Sequence, residues 1–139
     1  MIGRLTGTLI EKHPPRVVID VQGVGYEVEA PMSTIYQLPE TGQPVTLHIH
    51  QGVRDESPVL YGFLNDAERS RFRSLIRVNG VGPKMALAIL SGISADELRR
   101  CIEQKDITTL TRLPGIGRKI AERLTLEMQD RLDGLGAST

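Results

Sequence analysis

Hydrophobic and polar residues alternate along the first half of the chain, in short runs that turn residues interrupt. The runs 2–12, 16–21 and 25–30 are rich in Val, Ile, Leu, Thr and Tyr, and they are separated by Pro14-Pro15 and by Gly23-Val24-Gly25. Runs of this length and composition predict three β-strands joined one after another.

A helix-compatible segment, residues 31–38, comes next and ends at Pro39-Glu40-Thr41-Gly42. Two further strand candidates follow, residues 45–51 and 59–64. Five short strands with a helix between the third and the fourth is the chain order of the OB-fold barrel. We therefore predict a five-stranded OB-fold barrel over residues 1–64.

The pattern changes to a helical period at Asn65. Asn65 as N-cap and Glu68 three positions later form the signature of a capping box, and apolar residues then recur at helical spacing. A second helix start with the same signature lies at Ser94-Ala95-Asp96-Glu97. These signals predict an all-helical domain over residues 65–132, so the chain as a whole belongs to the α+β class.

The helical half contains an internal repeat. Val78-Asn79-Gly80-Val81-Gly82-Pro83-Lys84-Met85-Ala86 aligns with Leu113-Pro114-Gly115-Ile116-Gly117-Arg118-Lys119-Ile120-Ala121 at a constant offset of 35 residues. Each copy predicts a helix, a tight glycine-containing turn and a second helix with a lysine in its first turn. The arrangement is that of two helix-hairpin-helix motifs in tandem.

Both repeats carry the chemistry of a phosphate site. Glycines allow the turn to take positive φ and to approach another surface closely. The first N–H groups of the following helix have no intrahelical partner, and the helix dipole adds positive charge there. Lysines at these points neutralise backbone phosphates without reading bases. The predicted DNA-binding residues are Gly80, Val81, Gly82, Lys84, Gly115, Ile116, Gly117, Arg118, Lys119 and Arg123.

Other interpretations of these glycines fail. A single Gly-x-Gly between helices is commonly a helix end, but two copies with a lysine in register favour phosphate binding. Met85 and Ile120 stand where a dinucleotide fingerprint needs a third Gly or Ala, and the sequence has no P-loop. We therefore expect no ATP hydrolysis by this chain, no catalytic residues and no cofactor.

Charge is distributed unevenly. The 139 residues hold 17 Lys and Arg against 17 Asp and Glu, which argues against a uniformly basic protein that coats nucleic acid. Residues 1–64 have a net charge of −3, residues 65–132 one of +4, and Asp133 supplies the remaining −1. The basic excess lies in the half that contains the repeats.

The composition predicts a soluble cytoplasmic protein. Hydrophobic residues make up 40% of the chain and charged residues 24%, and no apolar run approaches the length of a membrane span. The single cysteine, Cys101, fits a reducing compartment and an apolar setting, so we predict a buried side chain rather than a reactive thiol.

Two polar features of the first half are ambiguous from the residues alone. Residues 52–58, between the last two strands, contain the adjacent carboxylates Asp55 and Glu56, which the simplest interpretation makes a solvated turn. His48 and His50 share one strand face, but no third ligand follows at a recognised metal spacing. A packed or surface histidine pair is the preferred interpretation, and no metal site is predicted.

Several stretches of the sequence together identify a protein family more specifically than either hairpin motif alone. The chain opens Met-Ile-Gly-Arg-Leu and contains Val24-Gly25-Tyr26-Glu27-Val28, Leu60-Tyr61-Gly62-Phe63, Asn79-Gly80-Val81-Gly82-Pro83-Lys84 and Leu113-Pro114-Gly115-Ile116-Gly117. Over nearly its whole length it resembles the RuvA family, the Holliday-junction-binding subunits of a bacterial branch-migration complex.

The resemblance implies a homotetramer that holds a four-way DNA junction open and nearly flat during recombination and DNA repair. It also implies two partners, the hexameric ATPase RuvB that moves the duplex arms and the nuclease RuvC that resolves the junction. In this family an acidic pin lies between the last two barrel strands, and Asp55 and Glu56 occupy that place. Pins gathered at the crossover would repel phosphate there.

Family members continue through a flexible linker into a small third helical domain that contacts RuvB. Residues 133–139 look like the start of such a linker, and the third domain would follow them, so either the gene product is truncated or this sequence is a fragment. We expect junction binding to survive without that domain.

Two other classes remain as alternatives. A helix-hairpin-helix glycosylase or nuclease would need a base-flipping pocket with a catalytic acid or metal cluster, and no such constellation stands out in the sequence. An OB-fold single-strand or RNA binder usually presents aromatic residues, which make up only 4% of this chain. The sequence favours a non-catalytic DNA-binding subunit.

Overall fold

The structure, a computed structural model, describes residues 1–131. The chain divides into two units, and the boundary falls between Arg69 and Ser70. We call residues 1–69 the barrel unit and residues 70–131 the helical unit. Residue 132 and the predicted linker, residues 133–139, lie outside the described residues.

The barrel unit contains five strands and one short helix. They are β1 (Arg4–His13), β2 (Arg16–Val21), β3 (Val24–Glu29), α1 (Met32–Ile35), β4 (Pro44–Arg54) and β5 (Ser57–Phe63). The strands close into a barrel in the order β1-β2-β3-β5-β4, in which only β3 and β5 run parallel. The predicted five-stranded barrel followed by a helical region is confirmed.

The barrel core follows from the alternation that predicted the strands. Successive side chains of a strand point to opposite faces, so every second residue turns inward. Leu9, Val17, Ile19, Leu47 and Ile49 are all fully buried in this way. Because their polar neighbours face outward, the short alternating runs are sufficient to specify which face of each strand closes the barrel.

Two elements differ from their predicted extents. The predicted helix over residues 31–38 is α1, only four residues long. The hairpin turn predicted over residues 52–58 is shorter than expected, because β4 and β5 stay paired as far as Arg54 and Ser57. Most of the residues in this stretch are exposed, so no hydrophobic alternation marks them as strand in the sequence.

The helical unit and the helix that leads into it contain five helices. They are α2 (Asp66–Ile76), α3 (Pro83–Gly92), α4 (Ala95–Gln104), α5 (Ile107–Thr111) and α6 (Arg118–Glu127). Each helix carries buried side chains, of which Phe72, Leu75, Ile89, Leu98 and Leu124 are at most 1% exposed.

The first turn of α2 belongs to the barrel unit because its side chains bond there. Glu68 accepts hydrogen bonds from the Thr34 hydroxyl and from the Leu64 N–H, both at 3.2 Å. The Arg69 guanidinium donates to the carbonyl oxygens of Gly3 at 2.8 Å and Ile49 at 3.2 Å. These contacts place the boundary between the units inside α2, five residues after the position proposed from the sequence.

Asn65 caps α2 as the sequence predicts. Its side-chain oxygen accepts a hydrogen bond from the Glu68 N–H at 2.9 Å. Ser94 caps α4 in the same manner, accepting from the Glu97 N–H at 3.2 Å. The capping residues alone are therefore sufficient to predict both helix starts.

A substitution at Gly7 of β1 tests how tightly the barrel is packed. A Cβ placed on Gly7 would lie 2.2 Å from the carbonyl oxygen of Asp20, whereas nothing lies within 4 Å of a Cβ on Gly3. Backbone cannot move aside cheaply, so we expect Gly7→Ala to lower the free energy of unfolding by about 1–3 kcal/mol. Gly3→Ala should change it by less than about 0.5 kcal/mol. Denaturant unfolding measures both, and equal effects would contradict the packing described.

Candidate nucleic-acid interface

The turn between α2 and α3 is built on one main-chain hydrogen bond. The Val81 N–H donates to the Val78 carbonyl at 3.0 Å, and Gly80 between them has φ = 90°. A turn of this kind, with positive φ at its third residue, requires glycine or a close substitute there. Gly80 is thus needed for its backbone conformation.

The turn between α5 and α6 has the same geometry 35 positions later. The Ile116 N–H donates to the Leu113 carbonyl at 3.1 Å, and Gly115 has φ = 80°. Pro114 occupies the second position of the turn, which proline favours because its φ is already set. The sequence repeat is therefore a repeat of backbone structure.

Both turns lead into helices whose N-terminal N–H groups are left without a side-chain cap. Gly82 and Gly117 are the N-cap residues of α3 and α6, in extended conformation, and neither helix has a side-chain capping hydrogen bond. By contrast, Ser94 and Asp106 cap α4 and α5 with side-chain oxygens. The hairpin helices start with free donors and a positive dipole end, which is an arrangement suited to an anion.

The predicted interface residues separate into exposed and buried groups. Gly80, Gly82, Gly115 and Gly117 are exposed. The side chains of Val81 and Ile116 are buried, 5% and 4% exposed, so they fill the core beneath the turns. Only main-chain atoms of these two residues can face a ligand.

The cations at the helix starts are exposed. Lys84 and Lys119 lie two positions after the N-caps, and neither forms an ion pair within residues 1–131. Arg118 is also exposed, but its Nε lies 3.1 Å from Oε1 of Glu122. The two lysines therefore present their full charge, whereas the charge of Arg118 is partly balanced.

Arg123 contacts the first hairpin instead of standing free. Its Nη1 donates to the Asn79 carbonyl at 3.3 Å, and Oε1 of Glu127 accepts from the Asn79 N–H at 3.2 Å. Two side chains of α6 thus hold the turn of the first repeat through the C=O and the N–H of Asn79. Ile120 adds packing, because its Cδ1 would lie 2.8 Å from a Cβ on Gly80.

The segment between the repeats is fixed by a polar network. Arg100 of α4 pairs with Glu97 and, at 3.0 Å, with Oδ2 of Asp106. Asp106 also accepts from the hydroxyl and the N–H of Thr109, and together with Arg100 these bonds lower the pKa of its carboxyl to about 2. The ionised Asp106 therefore caps α5 and joins it to α4 over the physiological pH range.

Two basic residues extend the repeat beyond the predicted set. Arg77 and Arg112 are 35 positions apart, both are exposed, and each comes just before its turn. The constant offset would have revealed them, had the alignment been continued toward the N-terminus of each copy. Each hairpin therefore offers an arginine before the turn and a lysine after it.

The acidic pin, Asp55 and Glu56, is a two-residue turn with an uncommon backbone. The φ angles are 52° at Asp55 and 65° at Glu56, both in the left-handed region. Two-residue hairpin turns of this type favour Asn-Gly, because both positions need positive φ, which Gly and Asn adopt more readily than most other residues. Both residues are exposed. The turn therefore presents two adjacent carboxylates to solvent in a strained backbone conformation.

The cysteine and the histidine pair singled out from the sequence show no sign of a reactive or metal-binding site. Cys101 is fully buried, as predicted, and burial raises the pKa of its thiol. The ring of His50 lies 6.3 Å from that of Tyr61. Within residues 1–131 no three His, Cys, Asp or Glu side chains are placed to hold a metal ion, and no helix there is long and apolar enough to span a membrane.

A closed five-stranded barrel followed by two backbone-equivalent hairpins defines a barrel protein with tandem helix-hairpin-helix motifs. Comparison with known families agrees with this class. The profile of the RuvA N-terminal domain matches residues 1–62, and that of a SAM-like helix-hairpin-helix tandem matches residues 72–130.

Three curated proteins named Holliday junction branch migration complex subunit RuvA are similar to this chain. The protein of Alkalilimnicola ehrlichii is 63% identical over 135 residues, which are 97% of this chain and 65% of that protein. That of Thioalkalivibrio sulfidiphilus is 62% identical, over 99% of this chain and 69% of its own length. The Pseudomonas aeruginosa protein is 59% identical, over 94% and 65%.

The chain belongs to the RuvA family. It spans about two thirds of the length of these relatives, from 65% to 69%.

The glycines of the two turns allow a graded test of the site. Gly80→Ala forces a side chain into positive φ and against Ile120, Gly115→Ala meets the φ penalty alone, and Gly82→Ala meets neither. We expect Gly115→Ala to cost about 1–2 kcal/mol of unfolding free energy and Gly80→Ala more.

Gly82→Ala should stay within about 1 kcal/mol of the parent, because it changes only an N-cap residue. Chemical denaturation of the three variants checks this order. A Gly80→Ala variant as stable as Gly82→Ala would mean that the turn does not depend on its left-handed residue.

Proposed function

We propose that this protein is a non-catalytic DNA-architecture subunit that binds four-way junctions through its two hairpins. The observation that carries the proposal is the duplicated turn: two uncapped helix starts with equivalent hydrogen bonds, each followed by an unpaired exposed lysine. Membership of the RuvA family supports the same conclusion, since the named relatives are branch migration complex subunits.

Each hairpin binds a phosphate by its main chain. Free N–H groups at the start of α3, where Pro83 itself has none, and at the start of α6 donate to phosphate oxygens, while Lys84 and Lys119 supply full charge. Nothing lies within 4 Å of a Cβ placed on Gly82, Gly115 or Gly117, so the bare glycine at each of these open positions lets the DNA backbone approach closely. Contacts of this kind position the duplex without reading its sequence.

Two equivalent hairpins determine the orientation of the bound DNA as well as the points at which it is contacted. Arg123 and Glu127 of α6 hold the main chain of Asn79, so the first turn is anchored on the helix that follows the second turn. The two phosphate sites therefore keep one mutual distance. A rigid pair of sites selects duplex arms of regular backbone geometry over flexible single strands.

The acidic pin acts by repulsion. Asp55 and Glu56 project at the tip of an extended hairpin whose outer residues are exposed. Negative charge at the crossover disfavours phosphates there, so a continuous duplex is excluded while separated strands pass to either side. No bond is made or broken in this step.

The assembly follows the family. A homotetramer presents the pins together at the junction centre, RuvB drives the arms and RuvC resolves the product. The protein itself supplies shape and charge, in the cytoplasm and without cofactor or metal. The DNA-binding surface comprises the turns and first helical turns of both hairpins.

The glycosylase or nuclease alternative and the single-strand alternative gain no support from the aromatic residues. Tyr61, Phe63 and Phe72 are buried, at most 4% exposed, so they serve the core and cannot stack on bases. Tyr36, at 79% exposure, stands beside α1 without a second exposed aromatic near it in the chain. The chain around Tyr36 therefore offers no row of exposed aromatic rings on which successive bases could stack.

Removing the two hairpin lysines tests the phosphate contacts. We expect Lys84→Gln with Lys119→Gln to weaken junction binding and to make the plot of log affinity against log salt shallower by about 0.9 for each phosphate that is no longer neutralised. Fluorescence anisotropy over a salt series measures both. The fold should be retained, because both side chains are exposed.

The matched control removes the same charge elsewhere. Lys12→Gln with Lys105→Gln also takes away two positive charges, outside the hairpin turns. We expect the slope of this variant to stay at the parent value. If the slope fell equally in the two double variants, net charge rather than the hairpins would determine binding.

Neutralising the acidic pin tests its repulsion. Asp55→Asn with Glu56→Gln keeps the side-chain sizes, and Asn tolerates positive φ well, so the hairpin should remain folded. We expect unchanged junction affinity and tighter binding of plain duplex, because the repulsion of a phosphate across the centre is removed. Competition between the two DNAs measures the ratio, and a ratio equal to that of the parent would reject the electrostatic role.

A further inference from the structure

Arg54 places a positive charge directly beside the acidic pin in sequence. It is the last residue of β4 and pairs with Ser57 across the turn. An arginine there could cancel much of the negative charge of Asp55 or attract a phosphate itself. The repulsion assigned to the pin therefore depends on where this guanidinium lies.

The guanidinium of Arg54 lies against the barrel and away from the tip. Its Nη2 donates to Oε2 of Glu29 at 3.1 Å. Glu29 is the last residue of β3 and pairs with Tyr61 of β5. Tyr61 is four residues from Ser57 on one strand, about 13 Å at the usual rise, so the arginine side chain extends back along the hairpin.

Both members of this ion pair line one groove of the barrel unit. The groove has a volume of about 790 Å³, and its walls include Tyr26, Gln51 and Leu60. The Glu29 side chain is mostly covered, 23% exposed, whereas that of Arg54 is 60% exposed. Glu29 is therefore the fixed partner, and Arg54 is the one that would move if the pair were broken.

We propose that Glu29 is a positioning residue for the acidic pin, which withholds the charge of Arg54 from the tip so that Asp55 and Glu56 act with their full negative charge. The proposal rests on the junction-binding function proposed above and adds a determinant of junction specificity. Glu29 itself makes no contact with DNA in this arrangement.

The net charge at the hairpin tip depends on whether Arg54 is paired with Glu29. With Arg54 bound to Glu29, those two charges cancel each other and the tip carries the two charges of Asp55 and Glu56. With Glu29 neutral, Arg54 is released and can pair with a pin carboxylate or with a phosphate at the crossover. Either outcome reduces the repulsion on which discrimination between junction and duplex depends.

The test is a double-mutant cycle on the full chain, with the ratio of junction affinity to duplex affinity as readout. We expect Glu29→Gln to reduce this ratio about threefold, the scale of one partly exposed ion pair. Arg54→Gln in the Glu29→Gln background should restore the parent ratio, because no cation is left to release. Arg54→Gln alone should also keep the parent ratio.

A matched control uses the neighbouring ion pair of the same groove. Glu27 lies two residues before Glu29 on β3, lines the same groove and faces Arg16 at 3.9 Å. Glu27→Gln removes one carboxylate from the same strand without freeing Arg54. It should leave the ratio unchanged, and a reduction as large as that of Glu29→Gln would overturn the proposal.

The cycle also separates charge from structure. If the ion pair mattered only as a brace of the hairpin, Arg54→Gln and the double variant would lose discrimination as Glu29→Gln does, and the proposal would be wrong. A parent ratio in Glu29→Gln would equally reject it. If instead the parent itself bound junction and duplex alike, the proposed function would fail, which is a different result from either.

Discussion

The left-handed backbone of Gly80 and Gly115 is the constraint on which the helical unit depends. With φ at 90° and 80°, each glycine reverses the chain within one hydrogen-bonded turn and leaves an extended glycine as the N-cap of the next helix. The helix therefore starts at the surface with free N–H donors. The apolar residue between the glycines, Val81 or Ile116, turns inward and fastens the turn to the core. One conformational requirement thus produces both the fold of the hairpin and the exposed helix start to which we assign phosphate binding.

Charge is distributed unevenly between the two halves of the chain. The helical half carries the positive excess and the barrel half the negative excess, although the whole chain is neutral. Within each half, ion pairs determine which charges act outward. Glu122 balances Arg118 and Glu29 holds Arg54, whereas Lys84 and Lys119 stay unpaired among residues 1–131. The exposed charges without an ion pair in this part of the chain include the lysines of the hairpins and the carboxylates of the pin. In the proposed mechanism, attraction and repulsion of the same ligand depend on where these charges lie and not on the net charge of the chain.

Much of the fold could be predicted because local patterns specify it. Alternation predicted the strands, Asn65 and Ser94 marked helix starts, and the 35-residue offset of the repeat predicted both turns. The rest depends on contacts distant in sequence. Asn79 and Arg123 are 44 residues apart, and Glu29 and Arg54 are 25 apart, so no local pattern links them. The sequence placed Asp55 and Glu56 in the turn but did not reveal its two-residue geometry, because Asp-Glu is not the sequence that this backbone conformation favours.

The most direct test of junction binding compares one four-way junction with a duplex of the same arm sequence, both titrated with the full chain over a salt series. We predict tighter binding of the junction at every salt concentration, with affinity for it falling steeply as salt rises because phosphate contacts release counterions. Equal affinity for the two DNAs, or a junction affinity indifferent to salt, would contradict this mechanism.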